Sequence, residues 1–341
     1  MFTMTHFDRP VQCLMRENAR MMKNRFRNGL MAFNVRHMWR WAACAVLLVG
    51  AAACPSNTLP LYAVSVTPNV VYGVGLVADS PDSTTYREKD LLLDVYRPVN
   101  DPTPRKPALL LVHGGSFVEG SKEKKEIVDF ANFFARRGFV TFSMNYRLAG
   151  DNPPAPEGWE NTGLTRAAHA AMVDVKAAVR FIHAKAGQYE IDTRQIALLG
   201  ESAGAIAAVT TAVTNPLEYA TDGPDYTIPQ SNYPTYSSRV NAYIHLWGNA
   251  DHVLLSVDPS DPPMMIAHGT EDDNIFTPFA SAERLHALLE LYNIPHEFYK
   301  LEGEGHGPWD ARVNGKGLKL LTLDFLNEHL LGKKLEPDNG T

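Results

Sequence analysis

From about residue 65 onward, short apolar runs alternate with stretches in which apolar residues recur at helical spacing. The strand-like runs lie at 108–113, 140–144, 196–199, 242–247, 264–268 and 297–301. Between them, Ile127, Phe130, Ala131 and Phe134 make one helical face, and Ala168, Met172, Val175, Val179 and Ile182 make another. Leu285, Leu288, Leu289 and Tyr292 make a third, and 318–331 reads as a leucine-rich final helix. Strands that alternate with helices imply βαβ units, and so an α/β fold with a mainly parallel central sheet and helices on both faces. Two earlier segments, 64–77 and 89–96, have no helix between them and read as an antiparallel N-terminal edge. The irregular stretches 150–163 and 216–238 are rich in Pro, Asn, Gly and Tyr. Loops of that length in a compact domain form either the rim of a pocket or solvated surface.

The first 54 residues follow a different pattern. Arg16, Arg20, Arg25, Arg27, Arg36 and Arg40 precede an apolar run from 41 to 53. That run has the length of a signal-peptide core and is short for a bilayer span. Ala51 and Ala53 fit the small-residue cleavage rule, whereas Ala51-Ala52-Ala53-Cys54 resembles a bacterial lipoprotein box, with Ala51 where leucine is usual. Residues 1–54 are therefore expected to be an export segment, with Met31 or Met38 as alternative starts and Cys54 as a candidate for lipidation. The expected location is the bacterial periplasm, the cell surface or the medium, either free or lipid-anchored. Residues 55–64 read as a tether, 65–332 as the main folded domain and 333–341 as a tail.

Composition narrows the chemistry. The net charge is −6 and the body has no long basic run, so nucleic-acid binding lacks electrostatic support. The three cysteines, Cys13, Cys44 and Cys54, all precede the body, which therefore offers no disulfide, thiolate nucleophile or cysteine metal cage.

Gly200-Glu201-Ser202-Ala203-Gly204 fits G-x-S-x-G. A strand-like run precedes it and a small-residue helix, 203–213, follows. That context suits a nucleophile elbow, a tight strand-to-helix turn that exposes the serine hydroxyl and admits only glycines at its flanks. Upstream, His113-Gly114-Gly115-Ser116-Phe117 follows the apolar run at 108–112. Glycines at a strand end let backbone N–H groups approach a developing oxyanion. Gly115, Ser116 and Ala203 are the expected donors.

A serine nucleophile needs a base, and the base needs an orienting carboxylate, in the chain order serine, acid, histidine. The run at 264–268 leads into His268-Gly269-Thr270-Glu271-Asp272-Asp273. Asp272 is the first choice, with Glu271 and Asp273 as close rivals by position alone and Asp251 as a weaker one. His306 lies in Gly303-Glu304-Gly305-His306-Gly307, between the last strand and the final helix, where flanking glycines free the imidazole to reach the serine. His268, His286, His296 and His329 fall in or at the ends of regular elements and have ordinary structural explanations.

These motifs together resemble the α/β-hydrolase family of bacterial esterases and lipases, in the branch related to hormone-sensitive-lipase-like and type-B carboxylesterases. The resemblance is carried by His113–Phe117, Gly120-Ser121, Asn145-Tyr146-Arg147, Gly200–Gly204, His268–Asp272 and Gly305-His306, and by the early Leu93-Asp94-Val95-Tyr96-Arg97-Pro98. It covers roughly residues 65–332. It implies a carboxylic-ester hydrolase with Ser202, Asp272 and His306 as its triad, acting through an acyl-enzyme without cofactor or metal. The acid at the fifth position of H-G-T-x-D selects Asp272. Ser116 stands where relatives have a third glycine. Residues 65–100 read as strands in place of a helical cap, which implies an open site for short acyl esters or accessible polysaccharide esters. The same triad would also serve an amidase or peptidase, and a hydrolase-fold binding protein that has lost activity is the alternative of another class.

Overall fold

Eight strands form one mixed sheet in the order β1-β2-β4-β3-β5-β6-β7-β8. They are β1 (Val64–Val77), β2 (Arg87–Pro98), β3 (Lys106–Val112), β4 (Val140–Met144), β5 (Ile191–Glu201), β6 (Ala242–Leu246), β7 (Met264–Gly269) and β8 (His296–Leu301). The structure is a computed structural model and describes residues 61–223 and 225–333. The export segment, Cys54 and most of the tail lie outside the described residues. Residues 62–64, expected in the tether, already belong to the body. The Tyr62 N–H donates to Arg136 O and the Val99 N–H to Ala63 O, both at 2.8 Å.

β1 pairs antiparallel with β2, and β2 with β4, while every other pairing in this sheet is parallel. The expected antiparallel edge is therefore present. β1 carries register shifts at Thr67/Val70 and Val71/Gly73. The central strands are buried on both faces, which explains their near-continuous apolar runs. Their side chains alternate between two cores. Leu110, Val112 and Leu198 face helices α2 (Gly163–Ala184), α3 (Ala203–Val213) and α4 (Phe279–Tyr292). Leu109, Leu111 and Leu199 face α1 (Lys125–Ala135) and α5 (Leu318–His329).

The helical faces read from the sequence are the ones that pack on the cores, Ala168 and Leu288 being half-buried at their margins, with one exception. Tyr292 is exposed, and Ser281 and Ala282 join Leu285 and Leu289 in the buried face of α4. The helix ends one residue after Tyr292 at Asn293, in a left-handed conformation, so its last turn lies beyond the core.

α2 is buried on nearly all sides and takes polar groups with it: Arg166, His169, Asp174, Lys176 and Arg180. Asp174 anchors Arg147, accepting its backbone N–H at 2.9 Å and its Nη2 at 2.7 Å. The same Nη2 lies 2.8 Å from Asp222 Oδ1, and Nη1 donates to Leu76 O at 3.1 Å. One guanidinium thus joins the end of β4, the edge strand β1, α2 and the 216–238 loop. Replacing Asp174 by Ala strips a buried cation of its main partner, and should lower stability by about 3–5 kcal/mol in urea unfolding.

Two buried histidines give the fold an acid limit. Burial lowers His169 to about 4, and burial together with nearby His268 lowers His245 to about 3, from 6.5. Both are held neutral when folded and gain protons below 6.5 when unfolded, so they favour the unfolded chain as pH falls from 6.5 toward 4. The urea midpoint should drop between pH 7 and pH 5, and His169→Gln should reduce the drop.

Candidate active site

The parallel register brings the C-terminal ends of the strands to one edge. Val112 pairs with Gly200, Glu201 with Leu246, Leu246 with Ala267, and Gly269 with Leu301. Every candidate site residue follows one of these ends.

Ser202 occupies the turn between β5 and α3 with φ 54° and ψ −123°, a conformation unfavourable for any residue with a side chain. Its N–H donates to Leu246 O at 2.9 Å, and its carbonyl accepts from the N–H groups of Ala205 and Ile206. Close backbone packing explains both motif glycines. A Cβ on Gly200 would lie 2.6 Å from Ala205 Cα, and one on Gly204 would lie 2.8 Å from the Val112 carbonyl carbon. The second contact lays the start of α3 directly on the end of β3, next to the glycine loop.

Ser202, His306 and Asp272 form one hydrogen-bonded chain. Ser202 Oγ lies 2.9 Å from His306 Nε2, and His306 Nδ1 lies 2.8 Å from Asp272 Oδ2. With Asp272 ionised, its oxygen assigns the ring proton to Nδ1 and leaves Nε2 to accept from the serine hydroxyl. Ser202 and the His306 ring are partly open to solvent, whereas the Asp272 side chain is wholly buried. The rival acids are elsewhere. Glu271 and Asp273 face solvent, and Asp251 pairs with Arg284 at 2.6 Å. Asp272 Oδ1 also accepts the Asn274 N–H at 3.0 Å.

His268 does more than the ordinary structural explanation of a strand-end residue requires. Its Nε2 lies 3.0 Å from Thr277 O, and also 2.9 Å from Asp272 Oδ2, the oxygen that meets His306. Burial lowers the His268 pKa and favours the neutral ring, which offers a single N–H to that carboxylate. Thr277 Oγ1 lies 3.2 Å from His306 Nδ1. A second imidazole and one hydroxyl therefore bracket the Asp272–His306 contact.

The glycine loop is pinned from several sides. Tyr146 stacks on His113 at 4.3 Å and donates its hydroxyl to His113 O at 2.8 Å. The Gly114 N–H is occupied, donating to Glu201 Oε1 at 2.5 Å. Gly115 has φ 120°, and Ser116, in place of a third glycine, has φ 54°, the left-handed region that costs a side-chain residue about 1 kcal/mol. The Gly115 and Ser116 N–H groups have no acceptor among the described residues. Ala203 begins α3 beside Ser202, where a helix N-terminus leaves its first N–H groups free of intrahelical partners.

Sequence reasoning missed Glu201. It is 2% exposed and accepts from Lys124 Nζ at 2.6 Å and Trp247 Nε1 at 3.4 Å, besides Gly114. A charged residue just beyond the apolar run Ile196–Leu199 of a central strand was the available signal. Its carboxylate ties the serine turn to the glycine loop and α1's N-terminal approach.

A parallel-centred sheet of this order, with a strained serine turn after its fifth strand, decides the architecture. The chain has the α/β-hydrolase fold. Residues 93–257 match the family model described as BD-FAE. Esterase LipC of Mycobacterium tuberculosis is 25% identical over 262 residues, which cover 64% of this chain and 59% of LipC. The chain thus aligns with somewhat less than two thirds of that relative's length. Among solved structures, the propionate-bound esterase Est2 of Thermogutta terrifontis superposes with a TM-score of 0.55 at 23% identity, covering 81% of this chain and 95% of Est2. A truncated carbohydrate esterase from gut microbiota gives a TM-score of 0.56 at 20% identity, covering 80% and 98%. Within this fold, Glu201→Gln would keep one oxygen for Gly114 and Lys124 but remove the charge facing Lys124 and turn an amide N–H₂ toward Trp247 Nε1. The variant should lose about 1–3 kcal/mol in urea unfolding.

Proposed function

We propose that this α/β-hydrolase cleaves carboxylic esters by nucleophilic catalysis. The observation that carries the reading is the hydrogen-bonded chain from Ser202 Oγ through His306 to Asp272, at 2.9 and 2.8 Å. Ser202 Oγ bonds to the ester carbonyl carbon as His306 Nε2 takes its proton. Asp272 holds the ring and balances the imidazolium charge. The N–H groups of Gly115, Ser116 and Ala203 receive the oxyanion. Collapse breaks the bond to the alcohol oxygen, which leaves with the proton from His306. Water then adds to the acyl-enzyme, gives its proton to His306, and releases the acid and free serine.

Short acyl chains, or esters displayed on polysaccharide, suit this site best. Residues 64–77 and 87–98, where hormone-sensitive-lipase relatives carry a helical cap, are β1 and β2. The neighbour names point the same way, one esterase being described with propionate, another as a carbohydrate esterase. Export, with lipidation of Cys54 as one route to anchoring, is the companion proposal for residues 1–54.

Ser202→Ala should reduce hydrolysis of p-nitrophenyl acetate and butyrate by about 10,000-fold while the protein melts at or above the wild-type temperature. It should also lose labelling by a fluorophosphonate probe. Retained turnover in that variant would sink the assignment, and faster cleavage of aminoacyl anilides than of esters would move the activity to amide bonds.

A further inference from the structure

At the opposite end of β8 from His306, three potential ligands converge. His286 and Glu290 are one turn apart on α4, and His296 opens β8. Their ligand atoms all lie within 4.8 Å of one another. His286 Nδ1 is 2.8 Å from His296 Nε2, and Glu290 Oε1 is 3.5 Å from the same Nε2. We propose that His286, Glu290 and His296 form a zinc site that clamps the end of α4 to the start of β8.

The orientation of His296 supports this assignment. Its Nδ1 lies 2.8 Å from Ile294 O, which is an acceptor only, so the ring proton sits on Nδ1. The Nε2 lone pair therefore points at His286 and Glu290. A backbone carbonyl that fixes the far nitrogen is the usual support for a metal-binding histidine. The His296 side chain is 9% exposed and its position is set by the turn from Asn293 to Pro295. The His286 ring is half-buried against Phe298, with centroids 4.9 Å apart. Only the Glu290 carboxylate is free to swing, its side chain being 68% exposed.

Without metal, the two rings share one proton, His286 Nδ1–H donating to His296 Nε2. Zinc would take the place of that proton, which moves to His286 Nε2 as the ring changes tautomer. Zn–N bonds of about 2.0–2.1 Å at tetrahedral angles separate ligand nitrogens by about 3.3 Å, so the rings need part by only about half an ångström. Two imidazoles and one carboxylate leave a fourth position for water. Nitrogen donors favour zinc over magnesium or calcium, which prefer oxygen. The nearby Lys300 is engaged by Glu283 at 3.2 Å and lies over the Phe279 and Phe298 rings, so its charge is partly compensated. β8 is six residues long, which places the clamp roughly 17 Å from the catalytic edge. The ion would act on stability and take no part at the reacting atoms.

The test is calorimetric titration of zinc chloride into the metal-stripped full chain, with its cysteines alkylated. One zinc equivalent should bind at this site and raise the melting temperature. His286→Ala and His296→Ala should each weaken that binding by about 100-fold, and the exposed Glu290→Gln by about tenfold. His329→Ala, in the neighbouring Glu297, Glu328 and His329 group, should bind as wild type does. Hydrolysis of p-nitrophenyl acetate at low temperature should be the same in Glu290→Gln as in wild type. No zinc binding below about 1 mM, or wild-type binding in both Glu290→Gln and His286→Ala, overturns the proposal.

Discussion

The register of the parallel strands is the constraint on which everything at the site depends. β3, β5, β6, β7 and β8 end flush, so the glycine loop, the serine turn, Asp272 and His306 all emerge on one edge. Residues far apart in the chain meet there because hydrogen-bond ladders fix the strands, and the ladders tolerate no one-residue slip without turning core side chains to the opposite face. The Gly204 contact with the end of β3 carries the same constraint one step further, from the sheet into the first turn of α3.

Around that edge, polar groups are buried in linked sets. Asp272 receives two imidazoles, Glu201 receives a lysine, an indole and a backbone N–H, and Arg147 is shared between two aspartates. Each set joins segments that hydrophobic packing alone would hold only loosely in register. Buried charges cost desolvation, and that cost is offset only while all partners stay in place. The site is therefore rigid for the same reason that single changes in it are costly.

Much of this was legible in the sequence. Runs of apolar residues located the strands because both faces of the central sheet are buried, and the spacing of apolar positions located the helical faces. The two motif glycines and the histidine between glycines announced turns, and the order of the turns announced which would meet. What could not be read depends on contacts across long separations. Glu201 reaches Gly114 over 87 positions, and nothing local marks the pair. His268 looked like a strand-end residue, since its bond to Asp272 requires the turn between them to fold back. Tyr292 fitted the periodicity of α4, but the helix outlasts the core that it packs against.

The backbone of Ser202 has a consequence for how such a chain changes over generations. A residue with a side chain held at φ 54° and ψ −123° costs on the order of 1–3 kcal/mol, and glycine at the same place would cost far less. Drift under selection for thermal endurance alone would therefore favour glycine at position 202 and keep the rest of the fold. A serine in that backbone is held at a cost in durability, which marks the position as one where the side chain serves something else.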